Sequence, residues 1–242
     1  MNDIALYETD VQNDFCSRNG ALFVYGFDRW NNEKYGAEAV LPNVIRLHEK
    51  AKKEGWAILG SVDRHFYEDA ELKRNKGGIF VDHCMNGTFG QLRLSELEPQ
   101  KDIYIRAKDG PLMGVRLYQE EEMRKFVASN GQLIFEKQTY DVDTNPNFKH
   151  AMRLLINKGI KKVVFDGFAT DYCVRAAVLA TAKARDRMGV EAQLYVVEDA
   201  IKEVGVDFAG NVNKRFVEQA IEEMKAAGAK LVTTQQVLEG RL

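Results

Sequence analysis

The chain has 242 residues, a formal net charge of −2, 45 % hydrophobic and 29 % charged residues. That length suits one large core, and the proportions are those of a folded α/β protein rather than a disordered one. The two signs of charge are interspersed, which leaves no basic field for nucleic acid or an anionic membrane and points to a small-molecule partner. Cys16, Cys84 and Cys173 form an odd set without CxxC spacing, arguing against a disulfide framework and a structural zinc site. The first residues lack the basic and apolar regions of a signal peptide, and no apolar run reaches membrane-spanning length. A reducing cytoplasm is the expected compartment.

Short apolar runs alternate with longer amphipathic ones. The pattern predicts strands at Ile4–Glu8, Ala57–Val62, Ile103–Arg106, Gln132–Glu136, Lys162–Asp166, Ala192–Val197 and Lys230–Thr233. It predicts helices at Ala39–Glu54, Gln119–Ser129, Pro146–Lys158, Asp171–Met188 and Asn213–Ala227. Gly55, Gly159, Gly189 and Gly228 follow four of these helices where a left-handed cap is needed. The expected architecture is a three-layer, doubly wound, mostly parallel sheet forming a single domain over residues 1–242.

In such a sheet the ligand crevice lies outside the carboxyl ends of the strands. The polar residues that follow strands are Asp10, Asp63 with His65, Lys137, and Cys173. Cys173 is expected at the mouth of a helix, where unpaired N–H groups and the macrodipole favour a thiolate. A cysteine nucleophile also needs a proton acceptor and oxyanion donors. Asp10 can take and return the proton, Lys137 can favour the thiolate by charge, and the backbone N–H groups of Ala169 and Cys173 can form the oxyanion hole. On spacing alone each has a plainer reading: Asp10 as a turn residue, Lys137 as a solvated strand-end lysine, Cys173 as a small buried hydrophobe.

Four segments carry a resemblance that bears on this choice. They are Asp10-Val11-Gln12-Asn13-Asp14-Phe15-Cys16, Ser61-Val62-Asp63-Arg64-His65, Asp82-His83-Cys84-Met85-Asn86-Gly87-Thr88-Phe89-Gly90, and Gly167-Phe168-Ala169-Thr170-Asp171-Tyr172-Cys173-Val174-Arg175. In this order they resemble the nicotinamidase branch of the isochorismatase-like cysteine hydrolases. The resemblance implies an isochorismatase-like hydrolase fold, Cys173 as nucleophile, Asp10 as catalytic aspartate, Lys137 as catalytic lysine, and a cis peptide at Phe168–Ala169. Lys108 is a rival for the lysine role but lies much further upstream of the cysteine than the family's pattern has it.

Asp63, His65 and His83 are the expected metal ligands, a carboxylate and two imidazoles that suit Zn²⁺, with Fe²⁺ or Mn²⁺ as alternatives. Some nicotinamidases add a ligand between the second and third; Glu68, Asp69 and Glu71 are all available here. The resemblance further implies that the metal receives the pyridine nitrogen of the substrate. Phe15 and Phe80 are expected either as walls around a flat ring or as core; the family often has tryptophan at the position of Phe80. The implied activity is hydrolysis of nicotinamide to nicotinate and ammonia, in NAD salvage, by a homo-oligomer. Another small amide, an isochorismatase-type vinyl ether, and a non-catalytic binding or scaffold role are the alternatives.

Cys16, Cys84, Met113, Met123 and Met152 are expected in the core, and Glu120-Glu121-Glu122 on a solvated helix face. Between Gly90 and Lys137 the chain is longer than compact nicotinamidases. The extra segment, at about residues 100–130, is expected to be a surface elaboration, a lid or a subunit contact.

Overall fold

The computed structural model describes residues 3–28, 34–129 and 131–242. Its strands are β1 (Ile4–Thr9), β2 (Ala57–Asp63), β3 (Asp102–Ile105), β4 (Gln132–Lys137), β5 (Lys162–Phe168), β6 (Gln193–Lys202) and β7 (Ala229–Val232). They form one seven-stranded sheet in the order β3-β4-β2-β1-β5-β6-β7, with every adjacent pair parallel. The helices are α1 (Asn13–Cys16), α2 (Ala37–Glu54), α3 (Glu120–Ala128), α4 (Phe148–Asn157), α5 (Arg175–Met188), α6 (Lys214–Ala226) and α7 (Thr234–Leu238).

Alternation along the strands divides the core. Ala5 and Tyr7 of β1, with Val163 and Phe165 of β5, face α3 to α6; Leu6 and Val164 face α1, α2 and α7. Parallel strands covered on both faces read as continuous apolar runs, which is why all seven are legible in the sequence. Gly55, Gly159, Gly189 and Gly228 all have positive φ just beyond helix ends. No helix among the described residues is long and apolar enough to cross a membrane.

Several elements depart from the sequence reading. β6 runs past Val197 to Lys202 through a register shift against β5, so the polar pair Glu198-Asp199 interrupts the apolar pattern without ending the strand. Helix α4 starts at Phe148 because Asn145 and Asn147 are committed to loop hydrogen bonds. The segment expected as the first turn of one helix at Asp171 is a π turn, Thr170–Val174, that leads into α5. Met123 and Met152 are buried, but Met113 is 61 % exposed at the tip of a loop, a correction to its assignment to the core.

Candidate active site

Four adjacent strands bring the site together at their carboxyl ends. Asp10 follows β1, Asp63 ends β2, Lys137 ends β4, and Cys173 lies in the turn after β5. These strands are neighbours in the order β4-β2-β1-β5. Residues between 36 and 163 positions apart in the chain thus meet because parallel register aligns the strand ends, with Asp63 directly opposite Lys137.

The backbone around each group is tied down. Gln12 clamps Asp63: its Nε2 donates to the Asp63 carbonyl at 2.8 Å, and its Oε1 accepts the Asp63 N–H at 2.7 Å. Asp14 accepts the Cys84 N–H at 2.7 Å, holding the loop that carries His83. Asp10 has φ 49°, a left-handed conformation that Asp tolerates better than most residues, and its Oδ1 accepts the Ser61 hydroxyl at 2.9 Å. Asp171 accepts the N–H groups of Val204 at 2.9 Å and Gly205 at 2.8 Å, which draws that loop over the cavity. The Phe168–Ala169 peptide is cis.

Lys137 is the hub. Its Nζ lies 2.8 Å from Asp10 Oδ2 and 3.7 Å from Cys173 Sγ, and it donates a short hydrogen bond to Asp63 Oδ1. The ammonium is fully buried; burial opposes its charge, but Asp10 and Asp63 outweigh that and hold its pKa well above the usual lysine range. Asp10 is raised, chiefly by burial, with Lys137 pulling the other way. Burial also pushes the Cys173 thiol well up; Lys137 opposes this and Asp10 adds to it. Burial thus works against the thiolate that a helix terminus and Lys137 would favour. Desolvation is the largest influence on the Cys173 thiol. Acceptor atoms of Asp10, Asp63 and Cys173 all lie within 4.8 Å of one another.

Next to this group, donor atoms of Asp63, His65 and His83 also lie within 4.8 Å of one another, all buried. His83 Nδ1 is 2.7 Å from the Val81 carbonyl, which can only accept, so Nδ1 carries the hydrogen and Nε2 presents a lone pair. That Nε2 lies 3.4 Å from Asp63 Oδ2, and burial against the pull of Asp63 leaves the His83 pKa raised. His65 Nδ1 donates to Asp69 Oδ2 at 3.2 Å, so its Nε2 also presents a lone pair, 3.9 Å from Asp63 Oδ2 and 4.0 Å from Glu71 Oε2. His65 Nε2 and Glu71 Oε2 are buried and make no hydrogen bond among the described residues. Acceptors converging on one point without a donor fit a cation. Glu71 is pushed up to about 7 by burial and by Asp63.

The three acids left open by the sequence have separate places. Glu71 faces the cluster, Asp69 stands behind His65, and Glu68 is exposed. Lys108 reaches Asp69 Oδ1 at 2.6 Å and makes no contact with Cys173.

A small cavity of about 20 Å³ lies between the two groups, lined by Cys173, Ala169, Asp63, His83 and Glu71 and walled by aromatic and aliphatic side chains. Phe15 and Phe80 both line it, each meeting His83 edge-on, at 5.4 and 5.9 Å between ring centroids. Tyr140 and Tyr172 complete the aromatic wall, and neither was marked as a site residue in the sequence. Tyr172 sits beside Cys173 in the fourth motif, the one signal that would have found it. A larger open groove lies at the opposite end of the strands, around Trp56 and Leu133, and contains none of these groups.

Comparison with known proteins agrees with this architecture. The Isochorismatase domain model matches residues 5–236. The chain is 24 % identical to ureidoacrylate amidohydrolase RutB of Enterobacter sp. (strain 638), over 85 % of this chain and 77 % of that protein. It is 26 % identical to the nicotinamidase of Escherichia coli (strain K12), over 95 % and 94 % of the two chains. The pyrazinamidase of Pyrococcus horikoshii, solved in complex with zinc, superposes with a TM-score of 0.63 at 24 % identity, over 96 % of this chain and 99 % of that one, a likeness of fold. With a family match spanning almost its entire length and this sheet order, the chain belongs to the isochorismatase family of hydrolases.

Proposed function

We propose that the protein is a cysteine amidohydrolase acting on a small, uncharged aromatic carboxamide, with nicotinamide as the substrate and ammonia and nicotinate as products. The observation that carries this reading is a cavity lined by Cys173 on one side and by Asp63, His83 and Glu71 on the other, with Lys137 and Asp10 buried behind the cysteine and His65 behind the acids.

In the proposed reaction Cys173 Sγ forms a bond to the carboxamide carbon as its proton passes to Asp10. The oxyanion is received by the N–H groups of Ala169 and Cys173. Collapse breaks the C–N bond, and Asp10 returns the proton to the departing nitrogen as ammonia. Asp10 then accepts a proton from water attacking the thioester, which frees nicotinate and regenerates the thiol. Lys137 keeps both buried carboxylates compensated and stabilises negative charge on sulfur. Asp63, His65 and His83, with Glu71 as neighbour, would hold a divalent metal, Zn²⁺ foremost, which when bound supplies a Lewis-acid site for the ring nitrogen. Asp69 orients His65 from behind.

The lining of the cavity favours a neutral substrate. Among the described residues its charged members are Asp63 and Glu71, and no Arg or Lys projects into it as a lining residue. A substrate bearing a free carboxylate, as a ureidoacrylate does, would meet these acids without a cationic side chain to receive it. Phe15, Phe80, Tyr140 and Tyr172 instead offer faces and edges to a flat ring.

The test is ammonia release from a panel of nicotinamide, pyrazinamide, benzamide and ureidoacrylate, with metal analysis on the same sample. The expected result is turnover of the first two, weak turnover of benzamide, which lacks the ring nitrogen, and none of ureidoacrylate. Turnover of ureidoacrylate alone would overturn the substrate assignment.

A further inference from the structure

We infer that Lys108 is a positioning residue for the metal-binding cluster, acting through Asp69 on His65; the inference rests on the reading of Asp63, His65 and His83 as metal ligands. Lys108 comes from a loop between β3 and α3 whose two arms are bridged by antiparallel pairing of Lys108 with Val115 and by the Arg116 N–H donating to the Ala107 carbonyl at 2.8 Å. The base of this loop is fixed by buried Asn147. Its side chain donates to the carbonyls of Arg106 at 3.1 Å and Arg116 at 2.8 Å, and accepts the Tyr118 N–H at 3.0 Å. The tip, Leu112 and Met113, is exposed, so the loop is anchored at its base and at Lys108 rather than by apolar packing at its end.

From that base Lys108 reaches inward. Its Nζ lies 2.6 Å from Asp69 Oδ1 and 4.9 Å from the centre of the Phe66 ring. Asp69 is buried, and its other oxygen accepts both the Phe66 N–H at 2.8 Å and His65 Nδ1 at 3.2 Å. Two donors thus share Oδ2, while Oδ1 has Lys108. Without the ammonium the carboxylate is free to pivot about Oδ2, which loosens the one hydrogen bond that His65 Nδ1 makes. The contacts therefore run from loop to Lys108, to Asp69, to His65, and so to the point where His65 Nε2 faces Asp63 and Glu71.

A second effect has the opposite sign and makes the inference testable. An ammonium near a cation site repels the cation, so removal of Lys108 would strengthen metal binding if charge alone mattered. If positioning dominates, removal weakens it.

The experiment is Zn²⁺ affinity of the full chain by competition with a chromophoric chelator, for wild type, Lys108→Met, Lys108→Arg, Asp69→Asn and the Lys108→Met/Asp69→Asn double variant. Lys108→Gln replaces Lys108→Met if the latter does not fold. Loss of a partner behind a ligand typically weakens metal binding by about 10- to 100-fold, and about tenfold is expected for Lys108→Met. Lys108→Arg should restore affinity, and the Co²⁺-substituted protein should show an altered d–d spectrum in Lys108→Met that returns in Lys108→Arg. The double variant should bind as Asp69→Asn does. Unchanged or tighter binding by Lys108→Met, or additive losses in the double variant, would overturn the role of Lys108 and leave the metal reading standing. Failure of the wild type to bind Zn²⁺ would overturn both.

Discussion

Lys137 Nζ stands 3.7 Å from Cys173 Sγ, with no part of the lysine side chain open to solvent. A buried ammonium is tolerated here because Asp10 and Asp63 compensate it, so the same contacts that stabilise the lysine place a positive charge beside the thiol. Lys137→Met should leave two buried carboxylates without their cation. Breaking a buried pair in this way costs about 3–5 kcal/mol, which urea denaturation would register alongside loss of amidase activity. A variant as stable as wild type would show that Lys137 does not hold the cluster together.

The burial of Cys173 gives a dependence on pH. Burial raises its pKa well above the ordinary thiol value, with Lys137 opposing, so the reactive thiolate fraction in the folded protein keeps growing at pH values where a free thiol is already ionised. In chelator-treated protein, iodoacetamide labelling at Cys173, followed by peptide mass spectrometry, should still be climbing above pH 9, past the plateau expected near the free-thiol pKa of about 8.5. Labelling that levels off near neutral pH would mean that Lys137 overcomes desolvation. Cys16 and Cys84, both fully enclosed, serve as unlabelled internal controls.

Removing a donor from the second cluster should affect substrate binding more than attack. His83→Ala is expected to lose stoichiometric metal and to raise KM for nicotinamide more than it lowers kcat, because the proposed thiol chemistry resides in Cys173, Asp10 and Lys137. Metal analysis with steady-state kinetics checks this. A fall in kcat at unchanged KM would place the metal in the bond-breaking step instead.

Asn147 offers a test of the loop that carries Lys108. Asn147→Ala removes four side-chain hydrogen bonds, one of them to Asn145 Oδ1, and leaves the Tyr118 N–H and two carbonyls without that partner. Each buried group left unsatisfied costs about 1–3 kcal/mol, and water reaching the loop offsets part of this, so a loss of about 2–3 kcal/mol in denaturant titrations is expected. No change would show that the loop is held elsewhere.

Much of the fold was legible because its signals are local. Apolar runs mark strands buried on both faces, and glycines mark helix ends. The strand-end rule likewise pointed to Asp10, Asp63, Lys137 and Cys173 before their proximity was known. What was not legible depends on contacts between distant segments. Glu68, Asp69 and Glu71 lie in one irregular loop with no periodicity to separate them, and only the fold shows which faces His65, which stands behind it and which meets solvent. The raised thiol of Cys173 follows from burial, which a helix-terminus argument does not count. Helix α7 was missed through its brevity, although Thr233 and Gln236 form a capping box whose spacing was present in the sequence.

The account stands most directly on Cys173. Ammonia release from nicotinamide, measured for wild type and Cys173→Ala with metal content determined on both, should fall to background in the variant while its metal content stays unchanged. Ammonia release by Cys173→Ala at the wild-type rate would contradict the proposed mechanism.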